Sequence, residues 1–180
     1  CHLIGNSMGG MIAWNTALSK MKKIQKLVLL APAGYDMVQI AEKNAEWINQ
    51  PIIRFLLAKG AAPFIAKSNV KMCFYDDEHI DPELYDRKYG MMNKVGNLEY
   101  LKQIAGYKNF MDTGAIKQIV TPTLLIWGTE DELIPFSHAE RFNRDLPNCS
   151  FLTYEKCGHA PMLEELDKCT ADILKFFEIN

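Results

Sequence analysis

No stretch of this chain is long and apolar enough to cross a bilayer, which takes about 20 predominantly apolar residues. The longest apolar runs, such as residues 51–58, fall far short, and that one carries Arg54 inside it. An excess of positive charge is also missing. The 20 Lys and Arg residues face 22 Asp and Glu, the net charge is −2, and both signs are interspersed. A basic stripe for nucleic acid and a long acidic tail are thereby excluded. Cysteine is sparse: Cys1, Cys73, Cys149, Cys157 and Cys169 form no Cys-x-x-Cys pair and no cluster with histidine. That spacing excludes a metal site of the usual kind, and an odd, scattered set reads as reduced thiols in a cytoplasmic protein.

What is present is 180 residues, enough for one sizeable core plus an insertion. The most informative segment is the pentad Gly5-Asn6-Ser7-Met8-Gly9, which follows the apolar Leu3-Ile4 and precedes a helix-compatible stretch over residues 8–20. A serine on a sharp strand-to-helix turn needs strained dihedrals, and the flanking glycines, Gly5 and Gly9, remove Cβ atoms from the place where strand and helix approach. The Met8 amide then points to where an oxyanion would form, at the positive end of the helix dipole.

Two loops downstream carry matching chemistry. Residues 123–128 read as a buried strand ending in glycine, followed by Thr129-Glu130-Asp131-Glu132-Leu133-Ile134-Pro135. Residues 151–154 read as another strand, followed by Cys157-Gly158-His159-Ala160-Pro161. A carboxylate and an imidazole in loops after neighbouring strands can both turn toward a serine. The order Ser7, Asp131, His159 is the serine, acid, histidine order of one hydrolase architecture and differs from two serine-protease folds.

The elbow GNSMGG, the acid loop GTEDELIP and the histidine loop CGHAPMLEE resemble the α/β-hydrolase family over essentially the whole chain. The resemblance is greatest to cap-bearing carboxylesterases and to hydrolases that cleave carbon–carbon bonds in aromatic ring-fission products. It implies a parallel sheet flanked by helices with an inserted helical cap. Glu130 and Glu132 are immediate rivals of Asp131, and the family pattern, which places the acid three residues before the apolar residue preceding proline, selects Asp131. Among the histidines, His2, His79 and His138 read as structural or solvated, and His159 as the base. Cys157, two residues before His159, reads as a small buried filler.

A near-continuous apolar strand over residues 26–30 suits burial on both faces. The next strand begins only at Thr123, whereas a direct crossover needs one helix of about a dozen residues. The surplus is read as the cap, which gives core segments 1–34 and 113–180 around an insertion 35–112. The insertion has no internal repeats, and its pattern predicts helices over residues 36–49, from 51, and over 61–67, 70–75, 82–92 and 98–110. Its Trp47, Phe55, Phe64, Met72, Phe74, Met91, Met92, Phe110 and Met111 are candidates to line an acyl pocket, since methionine adapts to varied ligand shapes. Most of these residues also serve to hold the helices together. In the C-terminal helix, Leu163, Leu166, Ile173, Leu174 and Phe177 recur at helical spacing and are expected to pack on the sheet.

The resemblance implies Ser7 as nucleophile, His159 as base, Asp131 as the residue that orients the imidazole, and the Met8 amide in the oxyanion hole. It implies no metal and no organic cofactor, and a small-molecule ester or related carbonyl substrate. A carboxylic ester is the first expectation. Carbon–carbon cleavage of a vinylogous diketone acid is the alternative, with Arg87 holding the substrate's acid group. Arg87 also reads as a solvated helix residue paired with Glu83. Members with that activity usually carry tryptophan after the histidine, where this chain has Ala160. A hydrolase-fold receptor that releases product slowly is the non-enzymatic alternative. The chain opens inside a strand without an initiator methionine, so the family pattern leads us to expect upstream strands, a second oxyanion donor and any targeting signal in a longer protein.

Overall fold

The computed structural model describes residues 1–20, 23–35, 62–94 and 112–178. The helices expected over 36–49, from 51, and over 98–110 lie outside these residues, as do Trp47, Phe55, Phe110 and Met111. In chain order the elements are β1 (His2–Asn6), α1 (Ser7–Lys20), β2 (Lys26–Leu30), α2 (Ala62–Lys71), a 3-10 turn at Asp77–His79 and α3 (Pro82–Met92). A second 3-10 segment at Thr113–Gln118 leads to β3 (Thr123–Gly128), α4 (Ser137–Asp145), β4 (Cys149–Tyr154), α5 (Pro161–Glu164) and α6 (Leu166–Glu178). The chain forms two compact units.

The first unit comprises Cys1–Tyr35, Met72–His79 and Met111–Asn180. Its described strands form one parallel sheet in the order β1-β2-β3-β4, with Asn6 opposite Leu30, Leu30 opposite Ile126 and Ile126 opposite Leu152. Parallel strands joined by crossovers are covered on both faces, and β2 and β3 show it: Leu27, Val28, Leu29, Leu125, Ile126 and Trp127 have no exposed surface. Each such aliphatic side chain contributes about 1.5–3 kcal/mol relative to exposure.

Alternation along the strands assigns the faces. Val28, Leu30, Leu124 and Ile126 cluster with Tyr154, Cys157 and Cys169, and Met162, Ile173, Phe176 and Phe177 pack against them. This face is therefore covered by α6. On the other face, Trp127 meets Phe142 of α4 at a ring separation of 6.2 Å. The seam of α6 departs from the expected one: Leu163, Leu166 and Leu174 are 47%, 60% and 55% exposed. Ile173 and Phe177 pack against the sheet face as expected, and Cys169 and Phe176 join them in place of the three leucines. Two polar ties hold α6 down. The Tyr154 hydroxyl donates to Asp172 at 2.7 Å, and the Lys26 ammonium donates to the carbonyls of Phe176 and Phe177 at 2.9 and 3.0 Å, where a cation also favours the helix dipole.

The second unit is Asp36–Lys71 with Ile80–Phe110. Within it α2 packs on α3, Ala66 and Val70 are buried, and the Lys67 ammonium sits over the Tyr85 ring at 5.5 Å. The Asp81 carboxylate accepts from the Glu83 amide at 2.9 Å and caps α3, with proline in its first turn.

The helix expected over residues 70–75 does not form. The preceding helix, α2, instead runs to Lys71, and residues 72–79 leave it to join the first unit. The reason is tertiary: the Cys73 carbonyl and Tyr75 amide are bonded by residues of the histidine loop and α5 and so are withdrawn from any helical ladder.

Candidate active site

The sheet register sets Asn6, Leu30, Ile126 and Leu152 side by side, with β3 and β4 running two residues further, and the loops that leave these carboxyl ends carry the candidate residues. In open α/β sheets this carboxyl edge is where ligands bind. Ser7 is the first residue of α1 and has φ 53°, a left-handed conformation that costs a non-glycine residue about 1–3 kcal/mol unless its surroundings hold it. They do hold it. The Ser7 carbonyl accepts from the Ala33 amide at 2.9 Å, and a Cβ on Gly5 would lie 2.7 Å from the Gly10 nitrogen and closer still to the Gly9 carbonyl.

The second glycine that packing requires is not the expected Gly9, whose missing Cβ faces open space. It is Gly10, where a Cβ would lie 2.7 Å from Cβ of Pro32. The elbow is thus pressed against the end of β2 by one residue more than the five-residue pattern specifies. Because Met8 lies in the first turn of α1, its N–H has no intrahelical acceptor and is available to an anion.

Asp131 and His159 meet: Oδ2 of Asp131 lies 2.7 Å from Nδ1 of His159, and both residues are buried, at 7% and 5% exposure. The other carboxylate oxygen, Oδ1, accepts from the Leu133 and Ile134 amides at 2.9 Å each. A carboxylate only accepts, so Nδ1 carries the hydrogen and Nε2 is left with a lone pair able to take a proton. Of the three acids in this loop it is Asp131 that reaches the imidazole. Glu130 and Glu132 are exposed.

One bond joins the elbow to the histidine loop. The Asn6 side-chain amide donates to the Leu30 carbonyl at 3.0 Å and to the His159 carbonyl at 3.1 Å, tying the residue before Ser7 to the backbone of His159. Asn6 was legible in the pentad only as a spacer, because a side-chain amide has no periodicity to reveal its partner. The histidine loop can cross the end of β3 because that strand ends in Gly128, where a Cβ would lie 2.6 Å from the Cys157 carbonyl carbon. The Cys157 thiol is fully buried, and burial, then the Glu164 carboxylate, push it well above the usual thiol range. It stays protonated and is no thiolate nucleophile.

An open cleft of about 470 Å³ lies beside the acid loop, lined by Phe74, Tyr75, Thr129, Glu130, Asp131 and Glu132. Among the described residues the lining carries the three carboxylates of Glu130, Asp131 and Glu132. Arg87 and Met91 belong to the second unit and are exposed there, Met91 at 63%. Arg87 pairs with Asp81, at 3.9 Å, rather than with the expected Glu83. Phe64 and Met72, expected as pocket lining, are 77% and 41% exposed, while Phe74 is buried within the first unit. Among the described residues no group of histidine, cysteine and carboxylate side chains is arranged to hold a metal ion, and no helix is long and apolar enough to cross a membrane.

Comparison with known proteins shows what the chain as a whole resembles. A 2-hydroxy-6-oxononadienedioate/2-hydroxy-6-oxononatrienedioate hydrolase from Dechloromonas aromatica is 29% identical over 97% of this chain and 61% of its own length. One from Burkholderia vietnamiensis is 30% identical with the same coverage. The chain therefore spans about 61% of the length of these relatives. A meta-cleavage product hydrolase from Pseudomonas fluorescens superposes with a TM-score of 0.79 at 23% identity, over 98% of this chain and 64% of that one. A thermophilic esterase from Thermogutta terrifontis superposes at 0.68 and 20% identity, over 97% and 63%. The family model for the alpha/beta hydrolase fold matches residues 1–166, and the chain belongs to that family.

Proposed function

We propose that this chain is the catalytic part of a serine hydrolase that cleaves a carbon–carbon bond in a ring-fission product, a 2-hydroxy-6-oxo dienoic acid. The observation that carries the hydrolytic reading is the buried Asp131–His159 pair at 2.7 Å, in a loop that Asn6 ties to the elbow of the strained Ser7. The substrate class rests on the names of the relatives that match 97% of the chain.

In this reading Nε2 of His159 takes the Ser7 proton as the hydroxyl attacks the 6-oxo carbon, and Asp131 stabilises the imidazolium. The Met8 amide stabilises the oxyanion, a kind of donor whose loss typically costs about 2.7–4 kcal/mol. The bond from C5 to C6 then breaks. Fission requires that the 2-hydroxyl proton has first moved to C5, giving the 2-oxo tautomer. The C5–C6 electron pair is then delocalised onto the 2-oxo group as a dienolate, and the imidazolium returns its proton to that leaving group. Water, activated by His159, releases the carboxylic acid from Ser7. The mechanism calls on no cofactor.

Ester hydrolysis is the second reading, and Ala160 favours it: it stands where the carbon–carbon hydrolases usually carry tryptophan. The test is turnover by the full-length protein of a 2-hydroxy-6-oxo dienoate, followed by loss of its visible absorbance, against a p-nitrophenyl ester. The expected result is many turnovers of the dienoate, abolished by Ser7→Ala. Turnover of the ester alone would establish the second reading, and release of a single equivalent of product would mean a slow-turnover receptor.

A further inference from the structure

Glu164 is 8% exposed, and its two carboxylate oxygens bind two different segments. Oε1 accepts from the Gly158 amide at 2.8 Å, with the Cys157 thiol at 3.7 Å, and Oε2 accepts from the Tyr75 amide at 2.7 Å. A third bond closes the figure: the His159 amide donates to the Cys73 carbonyl at 2.9 Å. The two backbones touch as well. A Cβ on Gly158 would lie 2.9 Å from the Cys73 oxygen and the Tyr75 nitrogen and 3.0 Å from the Phe74 carbonyl carbon. Both carboxylate oxygens are thus occupied by backbone donors. Burying an acid in the interior is costly unless hydrogen bonds replace its hydration. What a carboxylate supplies is two acceptor oxygens at one side chain, which glutamine cannot match because one of its two atoms is a donor.

We infer that Glu164 is a positioning residue: it clamps the segment around Tyr75 to the Gly158–His159 backbone and thereby fixes where the His159 imidazole stands. The inference rests on the reading of His159 as the base. Glu164 touches neither the imidazole nor a reacting atom, and it acts on catalysis through the loop. Residues 72–79 enter from α2 and leave toward α3, so the placement of the base depends on a segment covalently flanked on both sides by the second unit. A misplacement of about 1 Å in a catalytic group costs roughly 10²-fold in rate.

The experiment uses the full-length protein with Glu164→Gln and Glu164→Met, each normalised to sites titrated by a fluorophosphonate. The expected result is a kcat per titrated site, and a rate of Ser7 phosphonylation, lowered by roughly 10²-fold in Glu164→Met and by less in Glu164→Gln, with KM unchanged. A purely structural role would lower the melting temperature and the number of titrated sites while leaving kcat per site and the phosphonylation rate at the wild-type value, and that outcome overturns the inference. Should both variants fail to fold, hydrogen exchange on the wild-type protein decides. Peptides spanning 73–76 and 157–160 should show equal protection and open together, and independent, fast exchange of the first overturns the clamp. Failure of the underlying reading is distinguishable, since wild-type Ser7 would then resist the phosphonate altogether, and it would overturn the clamp's catalytic role with it.

Discussion

Asp131 divides its carboxylate: Oδ2 meets Nδ1 of His159 at 2.7 Å, and Oδ1 receives the Leu133 and Ile134 amides at 2.9 Å. One oxygen organises the acid loop and the other organises the imidazole. In Asp131→Asn the carbonyl oxygen can keep the two loop bonds while the NH2 group faces Nδ1, which reverses the tautomer and removes the acceptor lone pair from Nε2. The expected loss is about 10⁴-fold in kcat, with a melting temperature close to wild type. Glu130→Gln, on an exposed neighbour, should lose little. Equal losses in the two variants would reassign the acid.

Asn6 supplies a second link of this kind, from the elbow to the His159 carbonyl. Asn6→Ala leaves the Leu30 and His159 carbonyls without that donor. Each lost bond is worth about 0.5–1.5 kcal/mol of stability. The effect on rate should exceed the effect on stability, because the link sets the distance between Ser7 and the histidine loop. A chemical denaturation curve beside a phosphonylation rate checks it, and a fall in stability with no change in rate would make Asn6 a strut only.

The thiols give an independent reading of burial. Cys157 and Cys169 are buried, and burial raises both thiols, while Cys149 is pushed up to about 11 by the same cause. Since the thiolate is the reactive form, iodoacetamide at about pH 8, below even the ordinary thiol value of about 8.5, should spare all three in the native protein and modify them after denaturation. Peptide mapping by mass reads this directly. Cys157→Ala should retain most of the activity, and its loss would return a catalytic role to the thiol.

How far the sequence carried these conclusions depends on how local each signal is. Ser7, Asp131 and His159 were legible because each sits in a short loop whose glycines and flanking strand mark it. The strands over residues 26–30 and 123–128 were legible because continuous apolar runs are what double-sided burial demands. Gly10, Asn6 and Glu164 were not, since their partners, Pro32, the His159 carbonyl and the Tyr75 amide, are remote in sequence and none leaves a periodic trace. The departure of residues 72–75 from helix has the same origin. Local propensity continues the helix, and the bonds to Cys73 and Tyr75 that oppose it come from residues 159 and 164. The α6 seam was legible in part: Ile173 and Phe177 pack on the sheet, whereas Leu163, Leu166 and Leu174 are exposed and Cys169 and Phe176 take part instead.

The last prediction concerns acid stability and rests on Asp145, which is buried at the end of α4. It receives the Tyr35 hydroxyl at 2.9 Å and two guanidinium bonds from Arg144 at 2.8 and 3.2 Å, with the Lys117 ammonium at 4.0 Å. The Arg144 bonds hold its carboxyl below the ordinary carboxylate value against the opposing effect of burial. A depressed native value means that the unfolded chain binds the proton first as pH falls. The stabilisation is therefore complete above about pH 5 and is lost below about pH 4, as the pH descends from the unfolded toward the native value. The Tyr35 hydroxyl works in the other direction: burial, then the bond to Asp145, raises it well above its usual value, so its contribution holds below about pH 10 and fades above it. Melting temperatures of the wild type and Asp145→Asn, measured from pH 7 downward, should differ by a constant amount to about pH 5 and converge below about pH 4. A gap that stayed constant down to about pH 2 would show that Asp145 acts by shape and hydrogen bonding alone, with no part played by its charge.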